Sequence, residues 1–199
     1  KEIASALTKL SCETHAIIFG ENTSNLVKEL GKFGLSKAYC VEKSEVNYYS
    51  QDQYAQIVSD LVIKNSYYVV MGGTSPFGKD LLPRIAAKLD VGMISDCIQL
   101  EVSGQKIIAK RPHFSGKCLS KAEFTGSCGV MSLRPNSYKA EEKGNMECTI
   151  ESFSPSIPAP KAKVTDIQKG KSTKADLTEA SYIVSVSYTH LRAHETGRN

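Results

Sequence analysis

The chain has 199 residues, a net charge of +4 and 41% hydrophobic residues, enough to bury the core of one α/β domain or of one domain plus a fragment. The charge is spread along the sequence, which describes a mixed solvated surface and asks for no nucleic acid partner. No apolar run approaches the length needed to cross a bilayer, so no direct membrane insertion is expected.

In chain order, Lys1 to Leu10 has the spacing of the end of an amphipathic helix, with Ile3, Leu7 and Leu10 apolar. HAIIF (His15 to Phe19) predicts a strand, which Gly20 turns. Asn22 to Ser24 offers caps for a helix carrying Leu26, Val27, Leu30 and Phe33 and closed by Gly34. KAYCVE (Lys37 to Glu42) predicts a second strand. Gln51 to Asn65 predicts a helix, with Tyr54, Ile57, Val58, Leu61 and Val62 at spacings of three and four.

The stretch from Tyr67 to Asp96, YYVVMGGTSPFGKDLLPRIAAKLDVGMISD, organises the chain. Tyr67 to Met71 predicts a strand buried in a parallel sheet and broken by Gly72 and Gly73. A helix follows, with Phe77, Leu81, Ile85 and Leu89 on one face and Leu82 and Ala86 beside them. Pro83 lacks an amide hydrogen, which predicts a place in the first helical turn, with Asp80 or a neighbour as cap. Gly92 ends the unit and Met93 to Cys97 predicts the next strand. The alternation implies a largely parallel sheet with right-handed connections, in which His15 to Phe19, Lys37 to Glu42 and Tyr67 to Met71 lie adjacent and buried.

After Met93 the pattern changes. Met93 to Val102, Lys106 to Lys110, Lys117 to Phe124 and Cys128 to Leu133 are strand-like and joined by short polar turns, which predicts antiparallel pairing. Pro135 to Lys163 is rich in Ser, Pro, Lys and Glu, with Cys148 to Phe153 and Val164 to Gln168 as short edge-strand candidates. Gly170 to Ala175 has linker composition. The six cysteines (Cys12, Cys40, Cys97, Cys118, Cys128, Cys148) form no CxxC pair, and most fall in apolar, strand-like runs, as in a reducing compartment.

GGTSPFGKDLLPRIAAKLDVGMISD (Gly72 to Asp96) resembles the amino-terminal domain of the electron transfer flavoprotein alpha subunit. AKRPHFSGK (Ala109 to Lys117) and MSLRPNSY (Met131 to Tyr138) agree with it, and the resemblance covers about Lys1 to Ser185. It implies a three-layer α/β fold of the Rossmann-like, adenine nucleotide alpha hydrolase-like kind: an open, mainly parallel sheet with flanking helices, followed by antiparallel strands. It also implies a strand ahead of the first helix, making Lys1 a truncation point. The implied function is electron carriage by a heterodimer of alpha and beta subunits holding one FAD. Electrons come from acyl-CoA and related dehydrogenases and go to a membrane quinone oxidoreductase, in the bacterial cytoplasm or the mitochondrial matrix. The family's principal flavin-binding residues lie in a second domain, so the resemblance assigns no FAD residue here and implies no bound cofactor in this chain.

Residues 1–170 are then the amino-terminal domain without its first strand, and 171–185 a linker with the first strand of a truncated FAD-binding domain. Residues 186–199, VSYTHLRAHETGRN, look like translated sequencing-adapter read-through and hold no pattern that places them in a fold. His190, His194 and Glu195 therefore receive no metal role.

Three places invite chemistry. Gly73 to Asp80 misses the phosphate-loop pattern GxxxxGK[ST] by its last residue, where Asp80 would set a carboxylate beside a triphosphate, and Pro76 deletes a cradling amide. A tight structural turn or a subunit contact is expected instead, with Asp80 satisfying the helix N-terminus. Gly20-Glu21-Asn22 and Gly72-Gly73-Thr74 are candidate loops for an adenine nucleotide at the carboxyl ends of strands. That defines the rival reading, a stand-alone adenine-nucleotide-binding module of the universal-stress type, though in the resembled family AMP belongs to the beta subunit. Third, Arg111, His113, Phe114 and Lys117 cluster at a predicted hairpin turn, either as a solvated end or as a subunit interface, and Arg134 with Tyr138 has the same two readings. No Ser/His/Asp set, carboxylate pair or metal cluster stands out, so the chain is expected to be an electron carrier's part rather than an enzyme with its own active site.

Overall fold

The computed structural model describes residues 1–144, 147–162 and 164–167, and Lys1–Val164 forms one compact unit. Gln168, the 171–185 linker and strand, and the 186–199 tail lie outside the described residues. Val164 to Ile167 takes no regular structure.

A first helix, α1 (Glu2–Lys9), leads to strand β1 (His15–Phe19), helix α2 (Ser24–Gly31) and strand β2 (Lys37–Val41), which pairs in parallel with β1 from His15↔Lys37 to Phe19↔Val41. Strand β9 (Thr149–Ser152), expected within Cys148 to Phe153, adds to the far edge of β2, also parallel. Helix α3 (Gln51–Asn65) spans the predicted residues and ends at Ser66, whose left-handed φ of 53° closes the last turn.

Strand β3 is Val69–Gly73, two residues later than the expected Tyr67 to Met71, because the Tyr67 amide still bonds the Val62 carbonyl at the end of α3. Helix α4 (Pro76–Leu89) and strand β4 (Met93–Cys97) follow. Pro83 does not occupy the first turn. The helix starts seven residues earlier at Pro76, with Ser75 as N-cap, its side chain accepting from the Gly78 amide at 3.1 Å. Pro83 therefore sits mid-helix, where it removes the bond to the Lys79 carbonyl. Asp80 likewise does not cap α4; it accepts from the Tyr49 hydroxyl at 2.7 Å and from Arg84 Nε at 3.1 Å.

Two pairings differ from expectation. The all-buried strand β8 (Gly129–Leu133) is not antiparallel: it runs between β3 and β4, parallel to both. Its apolar run GVMSL is buried on both faces, the signature of a central parallel strand. Nor does β3 lie hydrogen-bonded beside β1. The sheet orders are β1-β2-β9 and β3-β8-β4, and β1 and β3, each with one edge unpaired among the described residues, are half-buried. The antiparallel expectation holds for β5 (Gln99–Ser103), β6 (Lys106–His113) and β7 (Cys118–Ala122).

Helices cover both faces. Ile17, Phe19 and Val70 pack with Tyr54, Ile57 and Val58 of α3 and Ile85 of α4. On the other face, Val69 and Met71 meet Ile3 and Ala6 of α1, and Ala16 and Ile18 meet Val27 of α2. The result is a three-layer α/β arrangement with mainly parallel strands.

Candidate functional site

The carboxyl ends of β3, β8 and β4 converge on one polar spot. Thr74, just after β3, donates its hydroxyl to Ser132 Oγ at 3.0 Å, and the Asp96 amide donates to the same oxygen at 2.8 Å. Asp96 reaches this position through an irregularity in β4. The pairing register shifts between Ile94 and Cys97, and Asp96 takes a positive φ of 61°. Its carboxylate holds Arg134 in a bidentate pair, Nε to Oδ1 at 2.9 Å and Nη2 to Oδ2. Thr74, Lys79, Pro83, Ser95, Asp96 and Ser132 line the shallow pocket that results.

The charges around Asp96 pull in one direction. The Arg134 guanidinium, by hydrogen bond and charge, with Lys79 and Arg111 behind it, holds the Asp96 carboxyl below its usual range. Arg111 is thus not at the hairpin tip. It continues the inward row of Ile107 and Ala109 along β6, and its buried Nε has no partner among the described residues. The structure brings Arg134 onto Asp96, with the Arg111 charge acting from farther off. His113 turns aside to Ser120 Oγ at 2.6 Å, and only Phe114 and Lys117 stay at the turn. Asp96, Thr74 and Ser132 escaped the sequence reasoning; their signal is position, each lying at or just after the carboxyl end of a parallel strand.

The hairpin tip is a turn of 3-10 helix, Phe114–Gly116, in which Phe114, Ser115 and Gly116 all have positive φ. It holds Phe114 79% exposed, near a Leu119 that is 52% exposed. The outward face of the same sheet is laced by Lys106–Glu123 and Lys121–Glu101 ion pairs, and Val102 of β5 is 46% exposed at its other end.

In both glycine loops amides that a phosphate would use are already taken. At the start of α2, Glu42 Oε1 already accepts from the Thr23 amide at 2.9 Å and the Thr23 hydroxyl at 2.8 Å, and these bonds lower its pKa. Its carboxylate stands where an anionic ligand would. At the start of α4, Ser75 takes the Gly78 amide and Pro76 has none to give. These bonds and the Glu42 carboxylate stand against a pyrophosphate at either place. Among the described residues no group of three His, Cys, Asp or Glu is placed to hold a metal.

Comparison with known proteins decides the family. Residues 1–158 match the electron transfer flavoprotein domain. The chain belongs to the electron transfer flavoprotein family. It is 30% identical over 174 residues to the electron transfer flavoprotein subunit alpha of Bacillus subtilis (strain 168), covering 87% of this chain and 54% of that protein. It is 33% identical over 92 residues to the acryloyl-CoA reductase electron transfer subunit beta of Anaerotignum propionicum, 46% of this chain and 25% of that one. A third relative, subunit LctC of the lactate dehydrogenase (NAD(+),ferredoxin) of Acetobacterium woodii, is 28% identical over 108 residues, 54% of this chain and 26% of the other. The chain spans about half the length of the relatives that match most of it. Members of the family are electron carriers, and the chain has the Rossmann-like layer structure of the family's amino-terminal domain.

The depressed Asp96 pKa gives a pH test. Above the ordinary carboxylate pKa of about 4, Asp96 is charged in both the folded and unfolded chain, and its stabilisation is fully present. As pH falls through the lowered folded-state value, that contribution is lost. Asp96 is 32% exposed and Arg134 46%, so the effect stays below about 1 kcal/mol. Urea midpoints of the wild type and Asp96→Asn should differ at neutral pH and converge as the pH is lowered through the carboxylate range. A constant difference would show that Asp96 acts through its shape and not its charge.

Proposed function

We propose that this chain is the amino-terminal domain of an electron transfer flavoprotein alpha subunit, acting as scaffold and as a docking surface for the beta subunit. In the assembled pair one FAD carries electrons from acyl-CoA and related dehydrogenases to a membrane quinone oxidoreductase, in the bacterial cytoplasm or the mitochondrial matrix. The redox chemistry is the flavin's; the polypeptide's part is to hold it, tune it and dock partners. Two relatives carry the words electron transfer and lactate dehydrogenase in their names, which supports exchange with dehydrogenases. No helix of the described residues is long and apolar enough to cross a membrane, in keeping with a carrier that visits one.

The observation that carries the docking role is the hairpin tip. A 79%-exposed phenylalanine at a hairpin tip, with Leu119 near it, is an aromatic anchor without a pocket of its own. Phe114→Ala should raise the Kd for the purified cognate beta subunit about tenfold, the scale of an interface hot spot, by titration calorimetry. The urea midpoint should not move, because the side chain buries little in the isolated chain. Unchanged affinity would return the hairpin to the solvated reading.

The cofactor assignment has its own test. The Thr23 and Gly78 amides at the two glycine loops are committed to side chains of the chain itself, in keeping with flavin binding elsewhere in the whole protein. Refolded with excess FAD and desalted, the 199-residue chain should come off the column colourless. A stoichiometric flavin absorbance would place a flavin site in this domain.

A further inference from the structure

The pocket at the carboxyl ends of β3, β8 and β4 carries more hydrogen-bond donors and more positive charge than the chain itself uses. Its volume is about 400 Å³, within the size range of small-ligand sites. Thr74, Lys79, Ser95, Asp96 and Ser132 supply a polar wall, and Pro83 and Met93 an apolar one. Thr74 and Ser132 carry two hydroxyl protons between them, and their mutual bond at 3.0 Å spends one. Ser132 Oγ also accepts from the Asp96 amide at 2.8 Å. Whichever hydroxyl donates to the other, the second proton has no acceptor among the described residues, and both residues line the pocket.

The charges are unbalanced in the same sense. Asp96 is the one acidic residue of the wall, and Arg134 takes both its oxygens. Lys79 stands exposed in the first turn of α4 and joins no ion pair among the described residues. Arg111 approaches from the opposite side. The Ile98 amide donates to the Lys110 carbonyl at 2.8 Å, which ties β6 to the end of β4, and the buried Arg111 Nε has no partner among the described residues. The fields of Lys79 and Arg111 both reach the Asp96 carboxyl. Once Arg134 and Asp96 have neutralised each other, these two cations remain.

We propose that this pocket binds a phosphate group, held by Lys79 and the Thr74–Ser132 hydroxyl pair in the field of Arg111. Charge selects phosphate over carboxylate: a phosphate monoester carries about −1.5 to −2 at neutral pH, which matches two unspent cations, whereas a carboxylate matches one. The phosphate oxygens are acceptors only toward the spare hydroxyl proton and the ammonium, so every unspent donor of the wall gains a partner. Side chains do the binding, and the committed amides at the start of α4 are not needed. Pro83 and Met93 beside the phosphate place suit the carbon part of a phosphate ester. The site depends on neither the flavin nor the beta subunit.

The test is titration calorimetry of the 199-residue chain in a phosphate-free buffer, with inorganic phosphate, ribose 5-phosphate and acetate as probes. Both phosphates should bind at one site per chain, and acetate at least about tenfold more weakly. Lys79→Gln should raise the Kd for phosphate about tenfold and leave the urea midpoint in place, because the lysine side chain is exposed. Arg111→Met should raise the Kd about fivefold without lowering the urea midpoint, since it removes a buried donor that has no partner. Tighter binding of ribose 5-phosphate than of inorganic phosphate assigns the pocket to a phosphate ester, and equal binding assigns it to the free ion; both results keep the phosphate site. Absence of saturable binding by either phosphate overturns the proposal. So does acetate binding as tightly as phosphate, or a Kd unchanged by Lys79→Gln or by Arg111→Met.

Discussion

Replacing Ile57 with alanine should destabilise the chain by about 2–5 kcal/mol, the range for removing a large aliphatic side chain from a packed core. Ile57 is 0% exposed on α3, in the cluster that includes Val130 of β8 and Ile85 of α4. The void closes only in part, because α3 packs against α4 and the strands in one close-packed cluster. The same helix supplies its own control. Ile63 is 67% exposed, and Ile63→Ala should change stability by less than about 0.5 kcal/mol, because alanine also has the higher helix propensity. Urea denaturation of both variants against the wild type decides the matter. Equal effects would mean that α3 does not bury the face its contacts indicate.

The legible part of the fold is the part governed by short-range pattern. α3 was readable to the residue because five apolar positions at helical spacing lie between Ser50 and Ser66, which stop it on either side. β1 and β4 were readable because glycines or polar residues bound a short apolar run. Pro83 misled because its local preference for a first turn is overruled: Ser75 and Pro76 form a better start, and the helix keeps Leu81, Leu82 and Ile85 buried despite the lost bond. β8 misled for another reason. Short connections made antiparallel pairing the local expectation, yet a strand buried on both faces gains more by entering the gap between β3 and β4 than by joining β7. Pairing order is a long-range quantity, and nothing within Gly129–Leu133 encodes its neighbours.

The candidate site divides along the same line. Phe114 and Lys117 were legible as a hairpin turn because Ser115 and Gly116 give way there to a left-handed backbone. The meeting of Arg134 and Asp96 was not, since the two residues come from the end of β8 and a bulge in β4. Only the inserted β8 puts Arg134 beside Asp96. The site therefore depends on the one pairing that local pattern could not supply.

Gly78→Ala should destabilise the chain by about 2 kcal/mol or more, although a glycine-to-alanine change in a helix ordinarily gains up to about 1 kcal/mol. Gly78 lies in the first turn of α4, where a Cβ would stand 1.9 Å from the Gly73 carbonyl oxygen. Both atoms belong to backbone, so no rotamer change relieves the clash; α4 must move off the end of β3 or β3 must bend. Either motion stretches the Ser75 cap on the Gly78 amide, and it shifts Thr74, whose amide is bonded to the Leu133 carbonyl at 2.8 Å. The damage should therefore spread to the Thr74–Ser132–Asp96 cluster at the carboxyl edge. Gly73 makes the contrast: a Cβ there meets nothing within 4 Å and its φ is ordinary, so Gly73→Ala should be neutral or stabilise by about 0.5 kcal/mol through the unfolded chain. Thermal melts would separate the two, with Gly78→Ala lowering the Tm by several degrees for a domain of this size. If the two alanine variants melt together, the close approach of α4 to β3 is not what requires the second glycine of the turn.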